Sequence, residues 1–432
     1  MSTAGRTVLF SSLTVAVAMA SLVVFPLRFL QSMGIGGAVV ALVAAAVSLS
    51  VLPALFMLLG GRLGRHTPGP VHEGRWYRLT HRVLRRPGLV AVATAAVLLV
   101  AAIPTLRTHW TGVDASILPT SQSARVVSDT LTRDFPRVDS TPTVVAVQAP
   151  PSRARDVRAY SRRLRDVEGV GAVASPRKLG SGTWAIDVTL RGEAIGSSAQ
   201  RAVAALRDLP APFPASVGGD AAAFADQRAA IADRLPLALG ILAGGTLLIL
   251  WLMTGSVILP FKALAMNALT VGAATGLLVL VFQDGRLEGP LGYTSQGGLE
   301  QSDFLVLAAI AFALSTDYGV FLLTRIKEAR DRGESDHEAV AVGLQRTGGI
   351  VSAAAILLAV AIGAFATSKV VFLKEIGIGA VAAVLLDAFL VRALLVPALM
   401  GLLGRWNWWS PSPLRRIHAR LGPREGAAPV GA

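Results

Sequence analysis

The sequence predicts a polytopic α-helical membrane protein, with about eight transmembrane helices and one extracytoplasmic α+β ferredoxin-like domain. Three observations predict it. The chain has 432 residues, is 53% hydrophobic and has a mean hydropathy of +0.57, too apolar and too long for one water-soluble core. Its apolar residues fall in runs long enough to cross a ~30 Å hydrocarbon layer. Between residues 106 and 235 the hydropathy drops and the periodicity becomes that of a soluble fold.

The first run, 8–25, lies behind Arg6. Ala18-Met19-Ala20 resembles a signal-peptidase site, but the apolar stretch continues past it and has a twin later in the chain, so a membrane span is expected. A second run, 36–59, follows a short turn with Pro26 and Arg28, and residues 1–60 form a hairpin of two spans. Residues 61–87 carry Arg62, Arg65, Arg75, Arg78, Arg82, Arg85 and Arg86 against one acid, Glu73, which makes the loop cytosolic by the positive-inside rule. Within it, 75–84 suits either a short helix at the headgroup level or a solvated loop. Span three, 88–105, carries the chain back out.

From 106 to 235 the pattern is strand 143–148, helix 156–168, strands 170–175 and 183–190, helix 197–209 and strand 215–218. This βαββαβ order is the ferredoxin-like arrangement of two helices on a four-stranded sheet. Residues 123–135 read as an entry helix, the proline-rich 210–214 as a turn, and 221–234 as a helix returning to the bilayer.

A five-helix bundle, 236–404, follows. Spans four (237–253) and five (257–282) are joined by Thr254-Gly255-Ser256. Polar Lys262 and Asn267 interrupt the fifth, and Lys262 is close enough to the inner end to snorkel to the headgroups as an anchor. The glycine-rich loop 284–302 lies outside. Span six, 303–325, is followed by 325–347, read as an amphipathic cytosolic helix, then by spans seven (350–366) and eight (376–403). Trp406, Trp408 and Trp409 suit an interfacial aromatic belt, and the basic tail within 405–432 reads as cytosolic and disordered.

Span six holds the most informative residues. Asp317 is followed by Tyr318 inside an apolar helix, roughly 20 Å from Asp303 and roughly 12 Å from Arg325 at 1.5 Å per residue. An ionised aspartate at the centre of a span costs about 3 kcal/mol, so such a residue faces a protein partner or wet cavity and serves an ion or proton pathway. A neutral, hydrogen-bonded structural aspartate is the alternative role.

Ser315-Thr316-Asp317-Tyr318-Gly319, the apolar 320–323 and then Arg325-Ile326-Lys327-Glu328 resemble the signature of the MmpL family of resistance-nodulation-division (RND) exporters. The resemblance covers essentially the whole chain. It implies a proton-driven exporter of lipids or other hydrophobic molecules in a bacterial plasma membrane, with Asp317 and Tyr318 in the proton relay and 106–235 as the porter domain. It implies no cofactor beyond the proton gradient. Asp387 and Arg392, near the middle of span eight, also match the family's acid and arginine at this spacing, and serve as relay support or as a structural ion pair. Five residues on an α-helix is about 500°, so the two side chains point roughly 140° apart and need not bond each other.

The chain also repeats itself. Arg6-Thr7, LQSMGIGGAV at 30–39 and LPAL at 52–55 recur as Arg346-Thr347, LKEIGIGAVA at 373–382 and VPAL at 396–399, with an offset that drifts only from 340 to 344. Transporters are often built from two such units, with the coupling site between them. Asp317 lies before the repeated stretch of the second copy, so its counterpart would fall before Met1. The family resemblance implies twelve spans and two porter subdomains. The first four spans and the first porter subdomain are therefore expected elsewhere, in another subunit or upstream, or to be lost. A homo-oligomer is compatible with this expectation.

A net charge of +14 raises nucleic acid as a partner, but the basic residues cluster at the ends of apolar runs, without a basic stripe interleaved with aromatics. Membrane lipids and a lipidic substrate are the expected partners. No cysteine is present and the six histidines lack ligand spacing, so no metal site is expected. Without a Walker motif, H-E-x-x-H or G-x-S-x-G, no enzymatic chemistry is expected either. Arginine far outnumbers lysine and alanine is abundant, as in high-GC actinobacteria. The alternative function is a non-transporting scaffold or lipid-sensing subunit, or an inactive remnant.

Overall fold

A computed structural model describes residues 4–59, 74–134, 142–192 and 195–421. The chain divides into two compact units, Met1–His109 with Leu235–Ala432, and Trp110–Arg234.

Among the described residues of the chain, eight helices are long and apolar enough to cross a membrane: Thr7–Val24, Arg28–Leu59, Pro87–Arg107, Asp220–Thr254, Ile258–Gln283, Gln301–Asp331, Asp336–Thr367 and Val371–Trp408. Several run longer than their apolar stretches. The second begins at Arg28, eight residues before the expected start, and Gly34 and Gly37 let it pack closely on the first span, since a Cβ at either would collide with Met19. The fourth is one helix from Asp220 through Pro236 to Thr254, joining the two segments expected separately.

The expected helix over 325–347 is instead split. Span six continues to Asp331, stitched by Arg325–Glu328 and Lys327–Asp331 ion pairs. Gly333, at φ +95°, makes the turn, and Ser335 caps the next helix by accepting the Glu338 N–H at 3.2 Å. The apolar residues that suggested amphipathicity, Ile326, Ala329, Ala339, Val342 and Leu344, do pack into one core, but from two helices.

The basic stretch Arg75–Leu84 is a helix. Its backbone at Tyr77 donates to Gln345 Oε1 at 3.0 Å, the Tyr77 hydroxyl donates to Glu338 at 2.8 Å, and Trp76 packs on Gly348, so it docks on the seventh span rather than forming a solvated loop. The rest of that loop, 60–73, lies outside the described residues. The tail is described as far as 421, and its remaining residues, 422–432, lie outside the described residues. Ser412–Leu421 is a helix, where a disordered segment was expected, because the His418 ring packs over Gly255 beside Trp251 and its Nε2 lies 3.0 Å from the Leu252 carbonyl. Trp406 and Trp409 are exposed as a belt requires, whereas Trp408 stacks under Arg330 at 4.8 Å.

The second unit holds β1 (Thr143–Gln148), β2 (Val170–Val173), β3 (Arg177–Lys178), β4 (Thr183–Leu190) and β5 (Ala215–Gly218), with helices Ala154–Leu164 and Ser197–Asp208. The sheet order is β2-β4-β1-β5, antiparallel, with the short β3 also on β4. This is the ferredoxin-like order expected from βαββαβ. Val145 sits opposite Ile186 and Val217, and alternate residues of β1 are buried against Val157, Tyr160, Leu164 and Leu206.

Candidate functional site

Span six is buried along most of its length, which is unusual for a membrane helix that could face lipid, and its centre carries the polar residues singled out by the sequence. Asp317 accepts a hydrogen bond from the Ser11 hydroxyl of span one. Ser11 was not recognised as a site residue; its only signal was a hydroxyl in the middle of an apolar run. On the next face, the Ser315 hydroxyl lies 2.5 Å from Asp387 Oδ1 and 2.6 Å from Asn267 Oδ1, and the Asn267 amide donates to Thr316 Oγ1 at 2.8 Å. Spans five, six and eight are thus joined by side-chain hydrogen bonds where apolar contacts alone would be expected.

Arg392 and Asp387 form a direct ion pair, Nε to Oδ2 at 2.5 Å, with only about 5% of each side chain exposed. The α-helical geometry used above for this pair does not hold, because Leu386–Leu395 is π-helical. Its i→i+5 bonding brings residues five apart onto one face. Arg392 also donates to the Ser315 backbone carbonyl and lies 5.5 Å over the Tyr318 ring. The guanidinium therefore links Asp387, Ser315 and Tyr318, and its charge reaches Asp317. Of the four residues named from the sequence, Tyr318, Asp387 and Arg392 are brought together, while Asp317 bonds to Ser11 on the adjoining face.

Beside them is a cavity of about 30 Å³, room for about two water molecules, lined by Lys262, Asn267, Ser315, Asp387 and Arg392 on its polar side. Lys262 reaches toward the inner end but stops at a buried partner short of the headgroups. Its Nζ donates to Asn407 Oδ1 at 3.1 Å, and Asn407 is itself buried, its amide donating to the Met400 and Gly404 carbonyls. The Ser256 hydroxyl holds the Asn407 carbonyl over the start of span five, leaving the lysine a nearer partner than the surface. Among the described residues no group of three or more His, Asp or Glu could hold a metal ion.

The first repeat copy lacks this chemistry. Val43 and Ser48 stand where the second has Asp387 and Arg392, and span two is almost entirely exposed in this chain while span eight is largely buried.

The fold resembles that of a solved membrane pump. A heavy metal efflux pump superposes with a TM-score of 0.56 at 12% identity, over 91% of this chain and 58% of that one. The eight spans, the buried polar centre and the α+β insertion define a multi-pass membrane protein. By sequence, residues 1–90 and 116–430 match the MMPL family, and the chain belongs to it. It is 42% identical over 98% of its length to the membrane protein SCO6666 of Streptomyces coelicolor, and 32% identical over 97% to the trehalose monomycolate exporter MmpL3 of Mycobacterium tuberculosis. The chain spans 59% and 49% of the lengths of these two relatives. The heme uptake protein MmpL11 of the same species is 29% identical over 96% of the chain and is spanned to 45%.

Proposed function

We propose that this chain is the larger part of a transporter that uses the proton-motive force to export a lipid or another hydrophobic compound across the plasma membrane. The observation that carries the reading is the buried Asp387–Arg392 pair, with Asp317 on the adjoining face and a water-sized cavity beside the pair. Buried charges that cost this much in a membrane are retained where ions or protons move. Proton entry supplies about 2.3 kcal/mol per 100 mV of membrane potential, enough to bias helix packing if the two states bind the proton differently.

In this mechanism, protonation of Asp317 neutralises its charge and changes its hydrogen bond with Ser11, loosening span six against span one. Arg392 responds because it serves Asp387, Ser315 and the Tyr318 ring together. Lys262 and the cavity lead the proton toward the end of the bundle that bears Arg325, and the arginine excess of 75–84 supports a cytosolic side for that end. The unit Trp110–Arg234 then lies outside and carries substrate. Relatives named for trehalose monomycolate export and for heme uptake support a cargo with a large apolar surface. No covalent chemistry and no cofactor other than the proton gradient enter this reading.

The exposed face of span two, with Val39, Val40, Val43 and Val47, is where the remaining spans of a two-copy transporter would pack. The chain reconstituted alone into vesicles with a proton gradient is accordingly expected to export nothing. Together with a polypeptide supplying the other spans it is expected to show efflux that a protonophore abolishes. Substrate-dependent flux by the chain alone would contradict the division of labour, and protonophore-insensitive flux by the assembly would contradict the energy source.

A further inference from the structure

A second set of buried acids lies at the opposite end of span six from Arg325. Glu300, Asp303 and Glu375 are each about 95% buried. Glu300 caps the helix, accepting the Asp303 N–H at 2.6 Å. Glu375, at the start of span eight, lies within electrostatic reach of both other acids and close to the Glu300 backbone. Asp303 Oδ2 is buried and has no hydrogen-bond partner. The charged and titratable groups around them do not neutralise the set. Lys374 donates instead to the Leu291 carbonyl, the Tyr293 hydroxyl donates to the Val281 carbonyl, Glu288 accepts the Ser295 N–H, and Asp284 is paired with Arg107.

Packing alone does not explain this group. The repeat partner of Glu375 is Ser32, so the same helix entry is built without an acid in the first copy. Among the described residues none forms an ion pair with these acids, and three carboxyls sharing one buried place in this way cannot all be ionised together, so a proton is held by the group rather than by one residue. Fourteen residues separate Asp303 from Asp317, about 21 Å along the helix and within about 40° of the same face. Val306, Ile310 and Ala313 fill that face between them, an apolar stretch of the kind that blocks ion passage until it is wetted.

We propose that Glu300, Asp303 and Glu375 form a proton-loading site at the mouth of span six, holding a shared proton destined for Asp317. Delivery to Asp317 rests on the proton-coupled reading above; loading does not. The apolar stretch keeps the loaded proton from the relay until the bundle changes packing.

The test uses the full chain in lipid nanodiscs and dicyclohexylcarbodiimide, which forms a stable adduct with a protonated carboxyl in an apolar setting. At about pH 7, where an ordinary carboxyl is ionised, mass spectrometry is expected to find an adduct on Glu300, Asp303 or Glu375. Asp303→Asn leaves the other two acids with one charge fewer to oppose and is expected to slow labelling of Glu375 at least about tenfold. Absence of any adduct on the three in the unmutated chain overturns the loading site, without requiring a variant to fold. Labelling of Glu375 unchanged by Asp303→Asn overturns the shared proton. Delivery is read in the complete assembly, where the pair Asp303→Asn with Glu375→Gln is expected to slow gradient-driven efflux; an unmutated rate overturns delivery. Failure of the proton-coupled reading would look different, with Asp317→Asn efflux undiminished and carbodiimide labelling unaffected.

Discussion

Replacing Arg392 by methionine separates a relay role for the Asp387–Arg392 pair from a purely structural one. Both side chains are almost fully buried, and the guanidinium serves the Asp387 carboxylate, the Ser315 carbonyl and the Tyr318 ring. Among the described residues, Arg392→Met leaves Asp387 buried with the Ser315 hydroxyl as its remaining donor. Breaking a buried pair from one side costs about 3–5 kcal/mol, whereas replacing both partners by apolar residues is often neutral. Arg392→Met alone is therefore expected to lose about 3–5 kcal/mol, and Arg392→Met with Asp387→Leu to recover to within about 1–2 kcal/mol of the original chain. Stability would be read from unfolding in mixed micelles with rising denaturing detergent, and efflux from the assembled transporter at matched membrane levels. The relay reading expects efflux to stay abolished in the stable double variant. A loss under about 1 kcal/mol in the single variant would refute the energetic argument. Full efflux by the double variant would refute the functional one.

A cysteine placed at exposed Ser181, easily read because the chain has no native cysteine, is expected to react with an impermeant maleimide in intact cells; reaction only after permeabilisation would reverse the topology. The soluble unit carries a pH dependence at its alkaline limit. Burial pushes the Tyr160 hydroxyl up from its ordinary value, and its ring packs edge-on to Phe213 at 5.4 Å. The stabilising effect of that neutral hydroxyl is complete below the unfolded value of about 10 and is lost as pH rises through the higher folded value. Proteolysis of 143–218 in the full chain is expected to accelerate above about pH 10, and less so in Tyr160→Phe; identical profiles would remove Tyr160 as the cause.

Most of the architecture could be read from hydropathy and strand order, because lipid and a half-buried sheet each impose a strong period on the sequence. The eight spans and the β2-β4-β1-β5 sheet follow from those periods. Helix ends were harder to read. Span eight was expected to start at 376, yet Lys374 and Glu375 are both buried in its first turn, and a four-residue turn at Gly333 divides what read as one helix. Asp317, Tyr318, Asp387 and Arg392 could be found because charge in an apolar run is conspicuous. Their mutual geometry could not, since it depends on π-helical winding at Leu386–Leu395 that no local residue signals. Ser11 and Lys262 were misjudged for a related reason: a single hydroxyl, or a lysine near a helix end, acquires its role only from what packs against it.

The central claim is that Asp317 couples the proton gradient to transport, and substrate efflux against an imposed pH gradient tests it most directly. The comparison is between the unmutated chain, Asp317→Asn and Tyr318→Phe, each in the complete assembly at matched membrane levels. Asp317→Asn keeps the size and polarity of the neutral acid and removes a charge that costs about 3 kcal/mol at the centre of a span, so expression and folding are expected to stay near normal. Efflux is expected to stop, because a side chain that cannot exchange a proton gives the gradient no hold on either conformation. Tyr318→Phe, which removes only a hydroxyl and keeps the ring beneath Arg392, is expected to be milder. Undiminished efflux by Asp317→Asn would contradict the account, as would a folding defect of equal size in both variants.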